Sequence, residues 1–147
     1  MLKGLDPLLH ADLLYVLAAM GHGDEIAVVD RHFPAVTIGA RIVRLDGVPG
    51  PRALEAILSV LPLDDMLDTP ATRMTAFGET DEVPEVCTEF QRVLDMVERE
   101  GRWTLGRLDR ASFYERARAA FAVVVTGEMR MCGNVLLAKG ALEPRDA

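Results

Sequence analysis

Apolar residues recur along the chain in two spacings. Leu13, Leu14, Val16, Leu17 and Met20 repeat at helical intervals and predict a helix over 11–20, stopped by Gly21. Pro51 opens a second helix with the stripe Leu54, Ile57, Leu58 and Leu61, and Pro62 ends it. A third runs from Pro84 to about Glu100 on Val86, Phe90, Val93, Leu94 and Val97, and Gly101 closes it. A short fourth spans 111–120 with Phe113, Ala117 and Ala120 inward. Between these lie runs of strand length at 25–30, 41–45, 72–77, 103–108, 122–125 and 135–138. Ala122 to Val125 is apolar throughout, as in a central strand covered on both faces. Residues 35–40 read as a turn or short extension, 63–70 as an acidic irregular connection, and 79–83 as a loop. Strands alternating with helices predict an α/β fold. The expected form is a three-layer sandwich with a largely parallel or mixed central sheet and helices on both faces.

The chain has 147 residues with no repeat and no linker, so one domain over 1–147 is expected. Its 23 acidic and 16 basic residues give a net charge of −7, and no basic run offsets it. That balance argues against nucleic acid and membranes as partners. No apolar run approaches the about 18 residues of a membrane helix. The first residues lack the succession of a secretory signal. Cys87 and Cys132 form no Cys-x-x-Cys pair, and nothing demands a disulfide between them. A cytoplasmic location is the expectation.

Candidate chemistry centres on residues 20–34, Met-Gly-His-Gly-Asp-Glu-Ile-Ala-Val-Val-Asp-Arg-His-Phe-Pro. His22 sits between two glycines after a helix, where the backbone can turn sharply. It is either a surface loop residue or a group that moves protons near neutral pH. Asp30 and His32 leave the end of the next strand, where open α/β sheets bind ligands. If that strand continues, they share a face. Asp30 is then a solvated strand end or a ligand to hydroxyls; His32 is a polar contact or a packed turn residue. His22, Asp24, Asp30 and His32 have ligand chemistry, but their spacing matches no compact zinc motif and no cysteine joins them, so no metal is predicted. Asp24, Glu25 and Arg31 can serve salt bridges or substrate alike. His10 reads as a surface or cap residue. Arg110 is an exposed charge or a fixed donor fork for ligand oxygens. Tyr114 can pack its ring and bond through its hydroxyl. Trp103 and Tyr15 are further aromatic candidates.

The pattern resembles the fucose mutarotase and ribose pyranase family. The resemblance is carried by Met20-Gly-His-Gly-Asp-Glu-Ile with Asp30-x-His32-Phe33-Pro34, and by Arg44-x-Asp46-Gly47. Two further stretches agree: Arg110-x-x-Phe113-Tyr114-Glu115-Arg116-Ala117, and Thr126-Gly127-Glu128 followed by Gly133-Asn134-x-Leu136-Leu137-x-Lys139-Gly140. It covers residues 1 to about 142. His32 and Arg110 match the fucose branch. The family pattern has tyrosine where this chain has Cys132, which lacks that ring and hydroxyl.

The resemblance implies an isomerase, an L-fucose mutarotase interconverting α and β anomers by acid/base ring opening and closure. His22 would be the acid/base group. Asp30, Arg110, Cys132, Gly133 and Asn134 would hold the sugar, with His32 and Tyr114 as further contacts. It implies a monosaccharide substrate, no cofactor, and a homo-oligomer, a decamer of two stacked pentamers with sites near subunit interfaces. Because of Cys132, the alternatives are a catalytically weak or inactive monosaccharide-binding protein, or a mutarotase or pyranase for another sugar such as ribose. A subunit-interaction protein without a sugar site is a third reading.

Overall fold

The alternation of stripes and runs folds into one mixed six-stranded sheet with helices on both faces. The structure is a computed structural model describing residues 2–39, 41–78 and 82–146. Residue 40 and residues 79–81 of the expected loop lie outside the described residues. In chain order the elements are α1 (Ala11–Ala19), β1 (Glu25–Val29), α2 (Ala35–Ile38), β2 (Ile42–Leu45), α3 (Gly50–Leu58) and β3 (Ala71–Met74). They continue with α4 (Glu85–Val97), β4 (Gly106–Leu108), α5 (Arg110–Ala119), β5 (Ala122–Thr126) and β6 (Val135–Ala138).

The strand order is β2-β5-β1-β6-β3-β4. β2, β5 and β1 run parallel, as do β3 and β4; β6 lies antiparallel between β1 and β3. Parallel neighbours bury both faces, which is why β1 and β5 read as unbroken apolar runs. Ile26 and Val28 face one layer with Leu13, Leu54, Ile57, Phe90 and Leu94 from α1, α3 and α4. Ala27 and Val29 face the other, with Ile38 of α2 and Phe113 of α5. Each fully buried Leu or Phe of this kind contributes about 1.5–3 kcal/mol.

Three expectations need correcting. Residues 35–38 form a short helix rather than a turn or extension. β3 ends at Met74, short of the expected 77, and Trp103 precedes β4 rather than beginning it. Trp103 instead buries its ring in the α3–α4 layer, with the Arg102 guanidinium 3.8 Å from its centroid. Helix α1 stops just ahead of Gly21, as expected. Its C-cap is Met20, in extended backbone, and Lys139 donates from Nζ to the carbonyls of Leu17 (2.7 Å) and Met20 (2.6 Å). A cation therefore sits at the negative end of the helix.

Candidate active site

Two clusters of polar side chains occupy opposite ends of β1. The first lies at its C-terminal end. The strand stops at Val29, so the condition for Asp30 and His32 to share a strand face is not met. A tight turn gathers them instead: the His32 amide donates to Asp30 Oδ1 at 2.9 Å and the Phe33 amide to the Asp30 carbonyl at 3.2 Å. Asp30 is buried, and across from it, immediately before β6, lies Asn134, also buried. The two bond twice. The Asp30 amide donates to Asn134 Oδ1 at 2.8 Å, and Asn134 Nδ2 donates to Asp30 Oδ2 at 3.0 Å. These bonds fix the orientation of the Asn134 amide.

This pair opens onto a cavity of about 320 Å³ lined also by His32, Met74, Phe77, Arg110, Tyr114 and Cys132. Helix α5 supplies two of these walls. Asp109 caps it, its carboxylate accepting from the Ser112 amide at 3.0 Å and the Ser112 hydroxyl at 2.7 Å. One turn in, Arg110 Nε donates to the Tyr114 hydroxyl at 3.0 Å, an i,i+4 pair on an exposed face. The Tyr114 ring meets Phe33 edge to face at 5.2 Å. His32 Nε2 lies 3.3 Å from the Met129 carbonyl. Gly133 is buried just behind the wall and is not part of its lining.

The second cluster precedes β1. Gly23 takes a φ of +84°, which a glycine tolerates, and turns the chain beside His22. The Gly21 amide donates to Asp24 Oδ2 at 2.8 Å, and the Gly23 amide to the Lys139 carbonyl at 2.8 Å. His22 Nε2 lies 3.1 Å from Oδ1 of Asp64, a residue the sequence reading left inside an irregular connection. The imidazole is 46% exposed and the Asp64 side chain only 7%. The His22 hydrogen bond, then the Met66 amide, hold the Asp64 carboxyl below its usual range. With the buried Asp64 carboxylate accepting from Nε2–H, the ring is oriented and Nδ1 is left as its acceptor nitrogen.

The predicted site residues therefore divide. Asp30, His32, Arg110, Tyr114, Cys132 and Asn134 converge on one cavity, and His22 does not. Five strand residues stand between His22 and Asp30, a separation of about 17 Å along β1 alone. Asp24 and Glu25 resolve as structural groups: Asp24 closes the His22 turn and Glu25 pairs with Arg116 of α5, with 3.2 Å from Arg116 Nε to Glu25 Oε2. Tyr15 is exposed on α1 and, like Trp103, lies outside the cavity lining. His10 precedes α1 without a side-chain cap bond. Among the described residues no three His, Cys, Asp or Glu side chains gather as a metal set. No helix among them is long and apolar enough to cross a membrane.

Residues 3–142 match the profile of the RbsD / FucU transport protein family. The chain belongs to that family. It is 45% identical over 148 residues to a fucose mutarotase of Homo sapiens, covering 96% of this chain and 94% of that protein. It is 42% identical over 151 residues to a fucose mutarotase of Bos taurus, covering 99% and 97%. Among solved structures, the fucose mutarotase of Streptococcus pneumoniae in complex with L-fucose superposes with a TM-score of 0.88 at 33% identity, covering 97% of this chain and all of that one. The mixed sheet with its two helical layers is thus the fold of this family.

Proposed function

We propose that this chain is an L-fucose mutarotase, a single-domain isomerase that exchanges the α and β pyranose anomers of the free sugar. The cavity carries the reading. A buried carboxylate paired with a fixed amide, an arginine fork and an aromatic hydroxyl share the wall with Phe33, Met74 and Phe77, and that mix suits a monosaccharide with one methyl-bearing end. The relatives that are fucose mutarotases supply the sugar.

Mutarotation needs a proton taken from the anomeric hydroxyl and one delivered to the ring oxygen. The C1–ring oxygen bond breaks, the open aldehyde turns about its C1–C2 bond, and closure on the other face reverses both transfers. His22, oriented by Asp64, is the proton carrier. Asp30, Asn134 and Arg110 bind hydroxyls, His32 and Tyr114 complete the polar wall, and the backbone of Cys132 and Gly133 lies behind the sugar. General acid–base help of this kind is worth about 10²–10⁴ in rate.

Because His22 and the cavity stand at opposite ends of β1, one copy does not assemble this set. Two copies joined head to tail do. Apolar side chains are exposed at each end: Met66 and Leu67 beside Asp64, Phe77 and Met131 at the cavity rim. A heterologous contact between unlike ends closes into a ring when its rotation divides a full turn, and the assembly we propose is a cytoplasmic decamer of two stacked pentameric rings.

Magnetisation-transfer proton NMR on equilibrated L-fucose tests the proposal. Faster exchange between the anomeric protons in the presence of the protein is expected. Unchanged exchange with L-fucose, D-ribose and related sugars would overturn it. A second reading, sugar binding without catalysis, draws on Cys132, which gives the wall no ring at that position. Calorimetric binding with no exchange would select it.

A further inference from the structure

Cys132 takes a backbone φ of +63°, and among the described residues every other positive φ belongs to a glycine. A side chain disfavours that left-handed conformation, so the surroundings must impose it. The chain on either side is held against one side chain, Glu128. On one side, Arg130 bonds Glu128 three times: its amide and Nε donate to Oε1, each at 2.9 Å, and Nη2 donates to Oε2 at 3.0 Å. On the other side, Gly133 lies flat against Glu128, where a Cβ would stand 2.7 Å from Glu128 Cγ.

The carboxylate is itself anchored. Glu128 is buried and accepts the Gly50 amide, at the start of α3, at 3.2 Å. The Arg130 guanidinium reaches onward to α4, with Nη1 and Nη2 donating to Glu89 Oε1 and Oε2 at 2.7 and 3.0 Å. A planar fork can satisfy two carboxylates at once; an ammonium cannot reproduce that geometry. The Arg130 bonds hold the Glu128 carboxyl down to about 2. The Cys87 thiol, in the first turn of α4, adds a weak contact to the Cys132 carbonyl at 3.8 Å.

We propose that Arg130 is a positioning residue for the sugar cavity: by joining Glu128 to Glu89 it holds Cys132 in the left-handed turn that sets Cys132, Gly133 and Asn134 against the substrate. Arg130 does not line the cavity. The inference rests on reading that cavity as the monosaccharide site.

A double-mutant cycle tests it, with L-fucose affinity and Tm measured for Arg130→Met in the Cys132 chain and in a Cys132→Gly chain. Glycine holds a left-handed turn unaided. Arg130→Met should weaken L-fucose binding about 10-fold or more in the Cys132 chain, as expected for a misplaced wall. In the glycine background the loss should shrink to about 3-fold or less. Equal losses in both backgrounds, or a lower Tm with unchanged affinity, would overturn the proposal. If Arg130→Met does not fold, Glu89→Gln replaces it, because that change loosens the guanidinium on one side only. If the native chain binds no L-fucose, the sugar reading fails. The clamp is then read from Tm alone: glycine at 132 should reduce the Tm loss caused by Arg130→Met, and an undiminished loss would sink the clamp as well.

Discussion

The two ends of β1 hold similar residue types in different states. At the C-terminal end Asp30 and Asn134 are buried, doubly bonded to each other and backed by α5. At the N-terminal end the His22 imidazole is half exposed, on a glycine turn, with Asp64 as its partner. Groups that only recognise hydroxyls gain from being held rigid, since their ordering is complete before the sugar arrives. A group that carries protons must be reached by substrate and must exist in both protonation states, which deep burial opposes. The buried member at the His22 end is Asp64, which stays ionised and orients the ring.

Substitutions at the two ends should therefore fail differently. His22→Ala should lower the anomer exchange rate by about 10²–10⁴ while L-fucose affinity by calorimetry stays near that of the native chain. A fully active His22→Ala protein would take the proton-carrying role away from His22. Acid stability probes the cavity end next. Glu128 titrates near 2 in the folded chain against an ordinary 4.5, because Arg130 bonds its ionised form. Its contribution is full above about 4.5 and is lost as pH falls through 2, since the unfolded chain binds the extra proton. Glu128→Gln should remove on the order of 2–3 kcal/mol at neutral pH and flatten the acid limb of a denaturation series.

Asn134→Ala leaves the buried Asp30 amide and one carboxylate oxygen without that partner. It should cost about 1–3 kcal/mol in urea unfolding and weaken sugar binding at the same time. No comparable loss is expected for His22→Ala, whose ring is half in solvent. The smallest effect belongs to the rim. Met66→Ser beside Asp64 should leave the monomer's unfolding within about 0.5 kcal/mol of the native chain. It should nonetheless shift sedimentation toward smaller species, and an unchanged assembly would separate that face from the contact.

Much of this was legible in the sequence, for reasons that differ by element. The stripes of α3 and α4 and the runs of β1, β5 and β6 are set by burial, and burial follows periodicity. Asp30, Arg110 and Asn134 were legible because motifs at strand ends and helix starts carry them. The separation of His22 from Asp30 was also there to be read, since a strand between two residues must hold them apart. Asp64 was not: its partner lies 42 positions away, and backbone bonds from both segments to Ala138 and Lys139 at the end of β6 bring them together. Arg130 was missed for a similar reason, because two of its carboxylate contacts come from Glu89 of α4. Strand order, with β6 inserted antiparallel between β1 and β3, rests on long-range pairing that no local pattern encodes.

The most direct test of the whole account is complementation between two inactive variants. His22→Ala and Asp30→Ala chains are produced separately, then co-expressed, and L-fucose anomer exchange is measured by magnetisation transfer. Each variant alone should be inactive. Together, about one head-to-tail contact in four would join a native His22 end to a native cavity, and a matching share of the native exchange rate should return. Mixed assemblies as inactive as either parent would contradict the claim that the two ends of β1 meet across copies to form one site.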